Sequence, residues 1–315
     1  MSANHREVYD HIIVGAGPAG CFCGIRLAEK GKKVLILEKN ALTDRKVCGD
    51  GISLRCVRLL RKIGFPTERF VEAGAASIHK RIVIRHGKSK TTYFGSEDGV
   101  GAYGIPRDKT DRLFREYTAE KGVTILYGRE VTEIGKEGDC FTVGEFAAKD
   151  VILAIGAAGR VKVSGQTVRQ EASALAVGIA MTVECESGEE PCFLFDYDEK
   201  YGGQYAWIFK TDVNHWNVGV WLRGNREKLR EYFDEFVKEK AAAFLGSDYR
   251  VICPPRGAIM AVRKFGAESL LSPRIRTEGV HLIGDADLTS KEADGEGIRQ
   301  AIISGISLAD KLAKG

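Results

Sequence analysis

Two apolar runs near the amino terminus, DHIIV at 10–14 and KKVLILEKN at 32–40, are short, rich in β-branched residues and almost continuous. Such runs suit strands buried on both faces of a parallel sheet. CFCGIRLAEKG at 21–31 lies between them, reads as helix and stops at Gly31. Strand, helix and strand in close succession predict a βαβ unit. Further along, DVILAIGA at 150–157 and VHLIGDA at 280–286 predict two more buried strands. GEGIRQAIISGISLADKLA at 295–313 predicts an amphipathic helix with glycines at its start.

The middle of the chain has a different period. SIHKRIVIRHGKSKTTYFG at 77–95 alternates as antiparallel strands do, and ALAVGIAMTVECE, CFLFDYD, QYAWIFKT and HWNVGVWLR supply four further strands between 174 and 223. A helix is predicted over 226–246. The expected class is α/β: a Rossmann-like nucleotide domain with an inserted antiparallel β-sheet domain. The nucleotide segments are 1–70, 105–165 and 275–315, and the inserted segments are 71–104 and 166–274. Aromatic residues concentrate in the insert. Alternation places Tyr205, Trp207 and Phe209 on one sheet face, either as core packed on the helix or as the apolar wall of a cavity.

The turn after the first strand is GAGPAG at 15–20. Gly15 permits a tight turn, Gly17 lets a pyrophosphate reach the backbone, and Gly20 lets helix pack on strand. The amino terminus of the following helix, around Ala19, offers unpaired N–H groups and a positive dipole end. Glu38 ends the second strand, where its carboxylate can accept both hydrogen bonds of a ribose diol. This constellation predicts dinucleotide binding without choosing between FAD and NAD. Glycine makes up 37 of the 315 residues, and such close approaches account for part of that excess. At the other end, Asp285 closes a strand and can accept from ribityl hydroxyls. The N–H groups of Gly297 and Ile298, after Gly295, suit the pyrimidine edge of a flavin, where negative charge develops on reduction.

GAGPAG with GDA…GEGI resembles the FAD-binding pair of the geranylgeranyl reductase family, within the p-hydroxybenzoate hydroxylase-like flavoproteins. KVCGDGIS at 46–53 is similar to that family's K-x-C-G-G/D segment. GGQYAWIFK at 202–210, followed by NVGVW at 217–221, is similar to its Y-x-W-x-F-P…G-x-G signature. The resemblance implies that Lys46, Cys48, Gly49, Arg107 and the backbone at Val131 join the FAD site. It also implies that Tyr205 and Trp207 wall the substrate cavity, and that Cys48, with Tyr205 second, handles a proton. The implied reaction is hydride transfer from reduced flavin N5 to a C=C bond of an isoprenoid-like or other apolar substrate. The electron donor, whether NADPH, NADH or ferredoxin, stays open.

Some positions depart from the family pattern. Ala158-Gly159 replaces the Asp-Gly of the wider hydroxylase superfamily, which counts against a monooxygenase. A halogenase should show W-x-W-x-I-P, which is absent. Lys210 replaces the proline after Y-x-W-x-F, and Asp287 replaces an alanine of GDAAG. Little sequence follows the last helix, which weighs against a long isoprenoid. A flavin monooxygenase or halogenase, and a flavin electron carrier without its own substrate, stay as alternatives.

Charge and cysteine content exclude other classes. Lys+Arg 47 against Asp+Glu 43 gives a net charge of +4, with both signs interspersed, so nucleic-acid binding has no support. Arg55, Arg58, Arg61 and Lys62 read as a solvated helix face. Eight scattered cysteines match no zinc template, and none pair as C-x-x-C, so no metal is expected. They fit a reduced, cytoplasmic setting. No leader or spanning run is visible; peripheral membrane contact is compatible with a lipid substrate, and the oligomeric state is unreadable.

Overall fold

The computed structural model describes residues 6–42, 46–94, 101–170, 175–186, 190–246, 248–261, 277–287 and 295–314. The chain divides into two compact units, one of residues 1–44, 111–175 and 261–315, the other of 45–110 and 176–260. The fold is α/β, a Rossmann-like unit with a sheet-rich insert.

The first unit is built on a nine-stranded sheet. Its centre is parallel: Glu7–Val14 pairs with Phe146–Leu153 on one side and Val34–Glu38 on the other. Thr124–Tyr127 and Val280–Leu282 extend it in the same sense. The near-continuous apolar runs have their cause here, since all five residues of Val34–Glu38 are buried. The predicted helices form as Pro18–Ala28 and Gly297–Leu312 and pack on one another. A Cβ on Gly305 would meet the Ala19 carbonyl oxygen and lie 3.1 Å from the Cys23 backbone nitrogen, so these helices touch backbone to backbone.

The second unit holds a seven-stranded sheet in the order Arg250–Ala261, Leu175–Glu184, His215–Leu222, Tyr205–Lys210, Cys192–Tyr197, Lys80–Arg85, Lys88–Tyr93. Only the Cys192–Tyr197 and Lys80–Arg85 pair is parallel among the registers described. A second, three-stranded sheet joins Gly51–Ile52, Ala102–Gly104 and Ala76–Ile78. That pairing draws 45–70 into this unit, whereas the sequence reading groups those residues with the nucleotide segments. The helix predicted over 226–246 forms in pieces: Arg226–Lys228 as a 3₁₀ turn, Leu229–Phe236 and Ala242–Leu245 as α-helix, with a π turn at Val237–Ala241 between them.

Burial divides the seven-stranded sheet by face. Leu194, Ala206, Ile208, Trp216, Val218, Val220 and Leu222 pack with Phe233, Phe236 and Leu245 into one core. Phe193, Phe195, Tyr205, Trp207, Phe209 and Trp221 alternate with those residues and therefore point to the other face. The reading of Tyr205, Trp207 and Phe209 as core packed on the helix is corrected accordingly: aliphatic neighbours fill the helix side, and the aromatic side is separate.

Candidate functional site

In the first unit, the glycines of 15–20 carry the geometry that their spacing implies. Gly15 has φ +108, and a Cβ there would lie 2.5 Å from the Ala154 carbonyl oxygen. A Cβ on Gly20 would strike the Gly15 carbonyl oxygen. Gly17 differs: nothing lies within 4 Å of its would-be Cβ, so its surroundings are open. The Pro18–Ala28 helix begins at Gly17 without a side-chain cap, so its first N–H groups, at Ala19 and Gly20, lack intrahelical partners.

Glu38 is buried, and both of its carboxylate oxygens are anchored. Oε2 accepts from the Ala16 N–H at 2.7 Å and Oε1 from the Asn40 N–H at 2.9 Å. Each oxygen keeps a second lone pair for a diol. Arg115, buried, donates from Nε to the Ala16 carbonyl at 3.1 Å and from Nη1 to the carbonyls of Ala41 and Leu42. It braces the same turn from the Arg107–Glu120 helix. Sequence reasoning missed it, because an arginine within a charged helix carries no distinguishing signal. Cys21 and Cys23, on the buried face of the glycine-opened helix, have thiols pushed up to about 12 by burial, so they stay neutral and act as small packing groups.

Elsewhere in this unit, the Gly297–Leu312 helix starts after Glu296, also without a side-chain cap. Gly297 and Ile298 are half-buried there, after an exposed Gly295 in left-handed conformation (φ 59). Asp285 lies in the turn Gly284–Asp287, and its carbonyl accepts from Gln170 Nε2 at 2.9 Å. Val131 is half-buried against the sheet's core.

These residues fit FAD. The donor set combines an uncapped helix start, open space over Gly17 and a fixed acidic acceptor, which together match a pyrophosphate and a ribose. The second uncapped helix start, in Gly297–Leu312, suits a flavin edge that gains negative charge.

The second unit gathers Cys48, Gly49, Asp50, Arg107, Tyr205 and Trp207. Lys46 is exposed and Cys48 half-buried. Cys48 lines a cleft with Met181, Thr182, Asn217, Cys253 and Arg256. Its volume is about 20 Å³, room for about one water. Gly49 packs under the Trp207 indole: a Cβ there would be 3.2 Å from Trp207 Nε1 and 3.3 Å from Phe209. Gly219 leaves the space that the indole fills, since a Cβ there would clash with the ring carbons of Trp207. Tyr205 and Trp207 are 8% and 6% exposed. The Tyr205 ring sits edge-on to Phe195 at 5.1 Å and to Trp221 at 5.5 Å. Burial raises the Tyr205 hydroxyl well above its ordinary value, so it holds its proton.

Asp50 is fully buried with φ 61. Its Oδ1 accepts from the Arg107 N–H at 3.0 Å and its Oδ2 from Asn217 Nδ2 at 2.6 Å. Arg107 itself is 5% exposed. Asn217 is the second residue that sequence reasoning missed, although it opens the NVGVW segment singled out above. Lys210 is buried over the Trp216 ring at 4.6 Å, and desolvation lowers its amine below the ordinary lysine value.

A glycine-lined turn, an anchored acidic acceptor and two uncapped helix starts define a dinucleotide-binding flavoprotein. The sequence matches the FAD binding domain family over residues 8–315, and the chain belongs to that family. It is similar to digeranylgeranylglycerophospholipid reductase 1 of Methanococcoides burtonii, with 27% identity over 98% of this chain and 75% of that one. Among solved structures it resembles a geranylgeranyl bacteriochlorophyll reductase-like protein from Thermoplasma acidophilum, with TM-score 0.76 and 20% identity, over 98% of this chain and 78% of that one. It also resembles the flavin-dependent brominase Bmp2, with TM-score 0.74 and 17% identity, over 98% and 79%. At these identities the structural matches show the fold alone. The protein is an FAD-dependent oxidoreductase, geranylgeranyl reductase-like.

Proposed function

We propose that this protein reduces carbon–carbon double bonds of an isoprenoid-like or other apolar substrate. The observation that carries the reading is the aromatic face of the second unit's sheet, separate from the helix-packed core, with the Cys48 segment fixed to it through Asn217 and Gly49. Reduced FAD supplies a hydride for such a reduction. In the first unit, Gly17, the Ala19 and Gly20 N–H groups and Glu38 hold the cofactor's pyrophosphate and ribose. Gly297, Ile298 and Asp285 serve its flavin end, and Lys46, Arg107 and Val131 are assigned to cofactor binding by family resemblance.

In the second unit, Tyr205 and Trp207 form the apolar wall that orients the substrate and excludes water. A proton must reach the second carbon, and Cys48 Sγ is the donor in this reading, with Tyr205 Oη second. The water-sized cleft beside Cys48 fits a proton-handling spot better than a prenyl site. The digeranylgeranylglycerophospholipid reductase names of relatives support a lipid substrate, and such a substrate brings peripheral membrane contact. Among the described residues no helix is long and apolar enough to span a bilayer.

The test is anaerobic. The purified protein is loaded with FAD, reduced with dithionite and mixed with a geranylgeranyl lipid. Flavin reoxidation together with gain of hydrogen in the lipid by mass spectrometry is the expected result. A lipid left unchanged, with hydroxylated or halogenated product appearing only after oxygen is admitted, would refute it in favour of a monooxygenase or halogenase.

A further inference from the structure

Asn217 is 1% exposed, and its amide makes three hydrogen bonds. Oδ1 accepts from the Trp207 indole N–H at 2.7 Å. Nδ2 donates to the Cys48 carbonyl at 2.9 Å and to Asp50 Oδ2 at 2.6 Å. Chemistry fixes which way round the amide sits: the indole only donates, while the carbonyl and carboxylate only accept. Asp50 passes the restraint on. Its Oδ1 holds the Arg107 N–H, and its own carbonyl accepts from the Ile105 N–H at 2.8 Å. One side chain on the His215–Leu222 strand thus fixes the peptide after Cys48, the ring above Gly49 and the acid beside them. Cys48 and Asn217 line the same cleft.

We infer that Asn217 is a positioning residue for Cys48: by holding the Cys48 carbonyl and the Trp207 ring together, it sets the direction in which the thiol is presented. The inference rests on the reading of Cys48 as the proton-handling group. Leucine would fill similar space but take these bonds from the buried indole N–H and the Cys48 carbonyl, and one donor from the Asp50 carboxylate.

A swap separates positioning from mere folding. Asn217→Asp places two carboxylates together and lowers the melting temperature. In the double variant Asp50→Asn/Asn217→Asp the amide and the carboxylate trade places. The amide, now at position 50, still accepts from the Arg107 N–H and donates to the carboxylate at position 217, which still accepts from Trp207. Of the bonds described above, the one lost is the donor to the Cys48 carbonyl, which now faces a carboxylate oxygen. The swap is therefore expected to recover most of the melting temperature, yet to change the iodoacetamide alkylation rate of Cys48, read by peptide mass spectrometry, by about fivefold, the worth of one hydrogen bond. In the reductase assay kcat should fall while KM moves by less than about twofold, because the lost bond touches the thiol-bearing peptide and not the apolar wall. A Cys48 alkylation rate in the swap matching wild type overturns the inference.

If neither variant folds, hydrogen exchange on the wild-type chain decides. The Arg107 and Ile105 amides should exchange far more slowly than the exposed His86–Gly87 turn, and equal rates overturn the clamp. Cys48→Ser tests the underlying reading separately: full reductase activity in that variant would remove Cys48 from the chemistry while leaving the alkylation result on Asn217 intact.

Discussion

Gly305→Ala sets two physical effects against each other with opposite signs. Gly305 lies inside the Gly297–Leu312 helix and is buried. On intrinsic propensity alone, alanine should stabilise a helix interior by about 1 kcal/mol. Packing says otherwise. The added methyl would meet the Ala19 carbonyl oxygen, and would lie 3.1 Å from the Cys23 nitrogen and 3.2 Å from the Cys23 Cβ. Two of these neighbours are backbone atoms of another helix and cannot rotate away, so the helices must part. Overfilling a close-packed contact costs roughly 1–3 kcal/mol, and parting the helices weakens the dispersion contacts along their length. The expected net effect is a loss of about 1–2 kcal/mol, read as a midpoint shift in urea and a fall of several degrees in melting temperature, at about 2–4 °C per kcal/mol. Both helix starts in this unit are assigned to FAD, so retention of flavin through gel filtration should fall as well. A raised melting temperature with unchanged flavin content would refute the backbone-contact reasoning.

Glu38→Gln keeps the shape but removes the charge that anchors Ala16 and Asn40, so FAD affinity measured by fluorescence quenching should weaken by roughly 10- to 100-fold, the worth of a charged hydrogen bond; unchanged affinity would remove Glu38 from the site. His11 is buried with Nδ1 unbonded, 3.6 Å from Asp150 Oδ2. Burial lowers its pKa from 6.5, against the opposing pull of Asp150 and Asp10 and with smaller lowering by Lys32 and His281. The unfolded chain therefore takes up the proton first, and this group's contribution, present above about pH 6.5, is lost as pH falls below it. Urea midpoints between pH 5 and 8 should fall less steeply in His11→Asn, and parallel curves would contradict the assignment. Arg85 faces Lys88 directly across the exposed Lys80–Arg85 and Lys88–Tyr93 pair, so Lys88→Glu should raise the urea midpoint by the equivalent of about 0.2–1 kcal/mol; a lowered midpoint would contradict that register.

The parts of the fold legible in the sequence are those in which one residue type answers one local demand. Gly15 needs a positive φ and Gly20 a missing Cβ, and both demands are met within a few residues of chain, so a short motif reports them. Buried parallel strands report themselves in the same way, since VLIL at 34–37 can be apolar throughout only when both faces are covered. Alternation also assigned Tyr205, Trp207 and Phe209 correctly to one face. It left open which face packs against the helix, because period two contains no information about what lies on either side. That choice was made by Ala206, Ile208, Val218 and Val220, which are small or branched enough for Leu229–Phe236 to settle on them.

What stayed hidden depends on contacts between distant residues. Asp50, Arg107 and Asn217 are separated by 57 and 110 positions, and nothing local to Asn217 distinguishes it from a polar residue at a strand edge. Its significance comes from partners with complementary chemistry: an indole that only donates, a carbonyl and a carboxylate that only accept, and an amide that can serve all three. Asp50 is a related case: a carboxylate beside Cys48 and Gly49 looks available for a ligand until its oxygens are found on Arg107 and Asn217. Arg115 repeats the pattern, spending its guanidinium on the carbonyls of Ala16, Ala41 and Leu42 from a helix whose sequence is ordinary. The residues that touch a cofactor or substrate are therefore the more legible ones, and those that hold them in place become visible only once the chain is folded.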